Sequence, residues 1–216
     1  MSIRNLASTK ATVLTLAGVL LFAPAADAGS KKKKTPEQER VEELRHVERK
    51  LARRLRVRGL TADSKFLHDR ASELIGRART QLNDGYLFDR TRKAADALLE
   101  ASERLIHARL VKEDQHSPED LEHARLKTSS ELQKDYFRLL QADFFAQTAK
   151  EAQGDSYLML AQRFYQKARA AYDSGHYEKA RKLGDGASWV VRALEYLAQA
   201  RVRGDEPPRL PPAFGE

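Results

Sequence analysis

The chain has no cysteine. That single absence excludes disulfides, thiolate metal sites, a cysteine nucleophile and a lipid anchor carried on an N-terminal cysteine. Signature motifs are missing as well: there is no HExxH, no P-loop, no GxSxG and no Gly-rich dinucleotide turn, which removes the reason to assert catalysis. Aromatic residues make up only 7%, and Trp189 is the lone tryptophan. Long apolar runs are equally scarce. The one candidate, from Ala11 to Ala26, is short of the roughly 20 residues that a membrane-spanning helix needs.

Two Glu-x-x-His pairs, Glu43/His46 and Glu113/His116, have the spacing that supplies ligands in di-iron helical bundles. The first faces away from its helix's apolar stripe. The second falls in a loop, so both are read as chance matches in a Glu-rich chain. His116 and His123 flank a helix start and are taken as surface histidines. No catalytic, cofactor-binding or metal-ligating residue is expected.

The apolar run has a context. Arg4 and Lys10 precede it, and Ala26-Asp27-Ala28 offers a small-x-small cleavage site. Residues 1–28 therefore read as a signal peptide cleaved near Ala28, which addresses the chain to the bacterial periplasm. The minority reading is a retained N-terminal membrane anchor. Lys31 to Lys34 favour it, because positive charge directly after the apolar run resists translocation.

The net charge of +8 is unevenly placed. Residues 31–58 hold twelve Lys/Arg against five Glu, whereas residues 59–216 hold 25 of each sign. All the basicity of the mature chain thus sits in a tail, 29–35, and the helix after it. That helix opens with Thr35 as cap, Pro36 at the first helical position and Gln38 completing a capping box. Val41, Leu44, Val47, Leu51 and Leu55 form one apolar stripe. Lys31, Lys32, Lys33, Lys34, Arg45, Arg49, Arg53, Arg54 and Arg56 are candidates for binding an anionic surface such as phospholipid or lipopolysaccharide. The competing expectation is a packed helix with a solvated basic face. Nucleic acid is not expected, because an exported protein rarely meets it and the basic face lacks interleaved aromatics.

The remainder is organised by duplication. Leu67/Tyr157, Ala71/Ala161, Leu74/Phe164, Ile75/Tyr165, Ala78/Ala168 and Leu82/Tyr172 correspond at an offset of 90, and Gly85/Gly175 close the run. Beyond them the offset is 89, pairing Phe88/Tyr177, Arg92/Arg181, Lys93/Lys182, Asp96/Asp185 and Leu105/Leu194. One helical hairpin occurs twice, as in scaffolds that stack repeats into a continuous core. The fold class that follows is all-α, an antiparallel array of about six long helices. A first helical unit spans 36–111, a linker 112–117, a second unit 118–203 and a Pro-rich tail 204–216. The fourth helix is expected to run from Pro118 to about Gln153, with any bend at Thr128-Ser129-Ser130. Its aromatic cluster of Tyr136, Phe137, Leu139, Leu140, Phe144 and Phe145 is expected in the core.

In AYDSGHYEKARKLGDGA the second hairpin resembles a tetratricopeptide repeat, with Gly175, Tyr177 and Ala180 in the helix-packing roles. That resemblance implies protein–protein scaffolding, as the duplication does. On the last helix Trp189 and Tyr196 point away from the inner stripe. They either pack against another helix or form a patch for a partner protein or glycan. The expected function is an exported cell-envelope scaffold or adaptor that binds another protein through its helical faces. The alternative is a peripheral binder of anionic membrane or envelope polymer through residues 31–58.

Overall fold

A computed structural model describes residues 34–111, 118–151 and 154–202, and among them there is no strand. Local sequence signals account for the helix starts. Thr35 accepts from the Gln38 N–H while Gln38 Oε1 accepts from the Thr35 N–H, so α1 (Pro36–Leu55) opens with a complete capping box. Thr61 caps α2 (Ala62–Thr80) and Asp84 caps α3 (Gly85–Leu110), each through a side-chain oxygen that accepts an otherwise orphaned N–H. Then follow α4 (Pro118–Leu140), α5 (Ala142–Ala149), α6 (Gly154–Asp173) and α7 (Tyr177–Arg201). From Lys34 onward the chain is one compact unit of its own, so the two helical units share a single core.

The duplicated hairpins are α2–α3 and α6–α7. Their matched seams are buried in both copies: Leu67 and Tyr157, Ala71 and Ala161, Leu74 and Phe164, and Ala78 and Ala168, the last pair wholly out of water. The turns differ. Gly175 adopts φ +81°, a left-handed conformation that closes α6, whereas Gly85 is the first residue of α3. A Cβ at Gly85 would lie 2.7 Å from Arg40 Nη2, the end of a flexible side chain that reaches across to the Leu82 carbonyl and would have to shift.

The hairpins meet along α3 and α7, the most extensive helix contact among the described residues. These two run antiparallel: Tyr86 at the start of α3 donates to the Gln199 carbonyl near the end of α7, 2.9 Å away, while Gly186 near the middle of α7 faces Ala101 and Arg104. Because α7 also touches α4, α5 and α6, it is buried on nearly all sides. Leu183, Val190, Ala193 and Leu197 are as enclosed as the expected stripe of Ala180, Ala187, Val191, Leu194 and Ala198. Small residues make the approach possible. At Gly184 a Cβ would lie 2.5 Å from Asp135 Oδ2 and 2.9 Å from Leu132 Cδ2, so α4 rests directly on the α7 backbone.

Two expectations for the fourth helix are corrected. It does not bend at 128–130. Thr128 is buried with its hydroxyl turned toward the Tyr177 carbonyl across the interface, not bonded back onto its own helix. The break falls after Leu140, with Gln141 uncapped between α4 and α5. It also splits the aromatic cluster. Thr128 and Leu132 set the inward face of α4, and at about 100° per residue Tyr136, Phe137 and Leu140 project to one side of it. These three are exposed. Re-aiming the chain after Leu140 then turns Ala142, Phe145, Ala146 and Ala149 of α5 onto the core.

Candidate functional site

Two exposed faces carry the chemistry that this surface offers. The first is on α4. Leu126, Ser129, Ser130, Gln133, Tyr136, Phe137 and Leu140 are all exposed, and none is charged, in a chain whose residues are 32% charged. Their spacing is that of an a/d/e seam over two heptads, about 21 Å long. Leu126, Phe137 and Leu140 are each more than half exposed, and the Tyr136 ring stands 5.7 Å from Tyr165 on α6. Sequence reasoning placed these rings in the core because it took α4 and α5 as one helix. The missed signal was the absence of charge at every seam position.

The second face is on α1, which lies in the groove between α2 and α3. Leu44 and Val47 point into the core. On the α3 flank Glu43 pairs with Arg92, Arg54 with Glu103, and Lys50 with both Asp96 and Glu100. Burial works against the Lys50 ammonium, but its hydrogen bonds to the two carboxylates outweigh that and hold its pKa above the usual lysine value. On the α2 flank Glu48 pairs with Arg79. What remains is an arc of about 80° opposite the core, occupied by exposed Arg45, Arg49, Arg53 and Arg56. None of these four has a carboxylate partner among the described residues, and Arg49 Nε donates only to the Arg45 carbonyl.

The sequence-predicted basic set is therefore divided. Arg45, Arg49, Arg53 and Arg56 stand together, Lys34 pairs with Glu42, and Arg54 is held against α3. Lys31, Lys32 and Lys33 lie outside the described residues, as do Glu113, His116 and the segment 1–28. Trp189 and Tyr196 are both half-buried and packed on the core, and the Arg192 guanidinium lies 4.6 Å from the Trp189 ring centroid. Where α3 ends, α4 begins and α7 begins, a groove of about 650 Å³ contains His123, His176, Arg109 and Lys179 on its walls.

Among the described residues no three His, Cys, Asp or Glu side chains are grouped so as to hold a metal ion. Glu43 is engaged by Arg92 and His46 is exposed. No helix among them is long and apolar enough to cross a membrane. No protein-family model matches the chain, and no curated protein or solved structure is significantly similar to it. The geometry of the two faces is thus the ground for a functional reading.

Proposed function

We propose that this chain is an exported cell-envelope adaptor that binds an amphipathic helix of a partner protein along the α4 seam. One observation carries the reading: an exposed, uncharged face with heptad spacing on a helix whose other face is anchored to α7. A seam of this kind fits a second helix, because side chains at a and d positions interdigitate with those of a helix laid alongside. The rigid core beneath α4, with Leu132 and Asp135 set against Gly184, holds the seam in place, so little ordering opposes binding. The resemblance of the second hairpin to tetratricopeptide repeats and the duplication itself support a scaffold over an enzyme. The compartment in this reading comes from the leader, residues 1–28.

The test places a photocrosslinking amino acid at Gln133, in the middle of the seam, in cells that express the full chain. The expected result is capture of one partner through a helical segment, abolished when Leu126 and Phe137 are both replaced by glutamate. Equal capture from the same crosslinker at exposed His46 on α1 would show that the seam has no special role. Capture of only a second copy of this chain would replace the adaptor with a self-assembling protein.

A further inference from the structure

We propose that the α1 arginine ridge, Arg45, Arg49, Arg53 and Arg56, is a docking face for the anionic phospholipid surface of a membrane. The fold sorts the cations of α1 into paired and unpaired sets. Lys50 and Arg54 are neutralised by Asp96, Glu100 and Glu103 on α3, and Arg40 is turned under the α2–α3 turn. The four ridge arginines receive no such partner among the described residues, although acidic side chains are abundant on both neighbouring helices. Among the described residues the acids beside their arc are Glu42 and Glu48, and each is paired with another cation, Glu42 with Lys34 and Glu48 with Arg79.

The shape of the ridge selects its occupant. Three guanidinium groups on convex α1 and that of Arg56 at its αR C-cap, in a row of about 17 Å, match a plane of many phosphates better than they match a small anion, which needs a cavity. Guanidinium is also the side chain best suited to phosphate oxygens. No aromatic residue interrupts the row, so single-stranded nucleic acid finds no stacking platform. Exposed Ala52 between the arginines leaves the row flat. In sequence, the ridge follows Lys31 to Lys34, which follow an apolar run ending at Ala26. Among the described helices, α1 thus begins nearest the segment that, in the proposed reading of residues 1–28 as a leader or anchor, meets a membrane.

The face acts chiefly by electrostatic adsorption, because the exposed apolar residue beside the row, Leu55, faces the α2 flank with Ile75 and Arg79 rather than lying among the arginines. Its binding therefore weakens steeply with salt. It is independent of the α4 seam, which is built from other residues on another helix, so either proposal can fail without the other.

The experiment uses residues 29–216, which retain the whole compact unit without the apolar run, and measures co-sedimentation with phosphatidylcholine vesicles with and without phosphatidylglycerol. One variant carries Arg45→Gln, Arg49→Gln, Arg53→Gln and Arg56→Gln. A second removes the same charge from scattered exposed sites through Lys65→Gln, Lys127→Gln, Lys134→Gln and Lys179→Gln. Far-ultraviolet circular dichroism and thermal melts establish that both remain folded. The expected result is binding only to the anionic vesicles, lost in high salt, weakened by roughly a hundredfold in the ridge variant and by no more than about threefold in the scattered one. Equal losses in the two variants would overturn the proposal in favour of bulk charge. Undiminished binding by the ridge variant would overturn it outright. Tighter binding of duplex DNA than of vesicles at equal phosphate, with the same ridge dependence, would make nucleic acid the occupant.

Discussion

Ser188 donates its hydroxyl to the Asp135 carboxylate where α4 crosses α7 at Gly184. The carboxylate is largely buried, and burial, reinforced by nearby Asp185 and Glu131, pushes its pKa up to about 6 against the pull of Ser188 and Arg138. The folded state thus binds a proton that the unfolded state, with a carboxylate pKa near 4, does not. Stability from this site is fully present below about pH 4 and is lost as pH rises through about 6.

Asp135→Asn should remove that dependence. Urea unfolding of the wild type is expected to show a contribution that grows on acidification from pH 7.5 to 5, on the order of 2 kcal/mol at most, and the variant should lack it. A pH profile with the same slope in both proteins would place the titration elsewhere.

His68 works in the opposite sense. Its Nε2 lies 2.8 Å from Ser102 Oγ, fully enclosed, while Nδ1 has no hydrogen-bond partner, and burial lowers the imidazole pKa with help from the Arg54 charge. Protonation on unfolding therefore costs stability as pH falls below about 6.5. The second hairpin has Leu158 and Val191 at the corresponding positions. Ser102→Val alone should cost about 2 kcal/mol by leaving both ring nitrogens unsatisfied. Adding His68→Leu should recover most of that loss and flatten the acid limb, as a double-mutant cycle in urea would read.

Two glycines two residues apart on α7 should respond with opposite signs. A Cβ at Gly184 meets Asp135 and Leu132 at 2.5 and 2.9 Å, whereas one at Gly186 makes ordinary contacts from 3.6 Å. Gly184→Ala is expected to destabilise by about 1–3 kcal/mol through overpacking. Gly186→Ala should be neutral or stabilising by up to about 1 kcal/mol through helix propensity. Thermal melts of the pair decide it.

Phe137 and Phe145 sit on either side of the α4–α5 break and should differ sharply. Phe145 is 2% exposed and Phe137 54%. Phe145→Ala is expected to cost about 3–5 kcal/mol, and Phe137→Ala under about 1 kcal/mol. Comparable losses in denaturant unfolding would put Phe137 in a core and dissolve the seam.

Much was legible from residue order. Thr35 and Gly175 acted locally, through a cap and a left-handed turn, and such signals survive without knowledge of the fold. The paired seams were legible because burial on one face imposes a helical period, and duplication supplied the same period twice. The seam on α4 was not. Its rings look like core residues, and only the break at Gln141 distinguishes Phe137, left outside, from Phe145, turned in. Similarly, a sequence shows seven arginines and lysines between Arg45 and Arg58 but not which of them meet a carboxylate from α3.

Residue order by itself determined most of the helix starts, the repeat and the concentration of positive charge near the N-terminus, because caps, periodicity and charge counts are properties of neighbours along the chain. Tertiary structure alone decided which faces stay open. Whether Arg54 is neutralised and Arg53 is not depends on Glu103, 49 residues from Arg54 in order, being brought to one side of α1. Exposure is set by what other segments cover, and that is known only once the helices have packed.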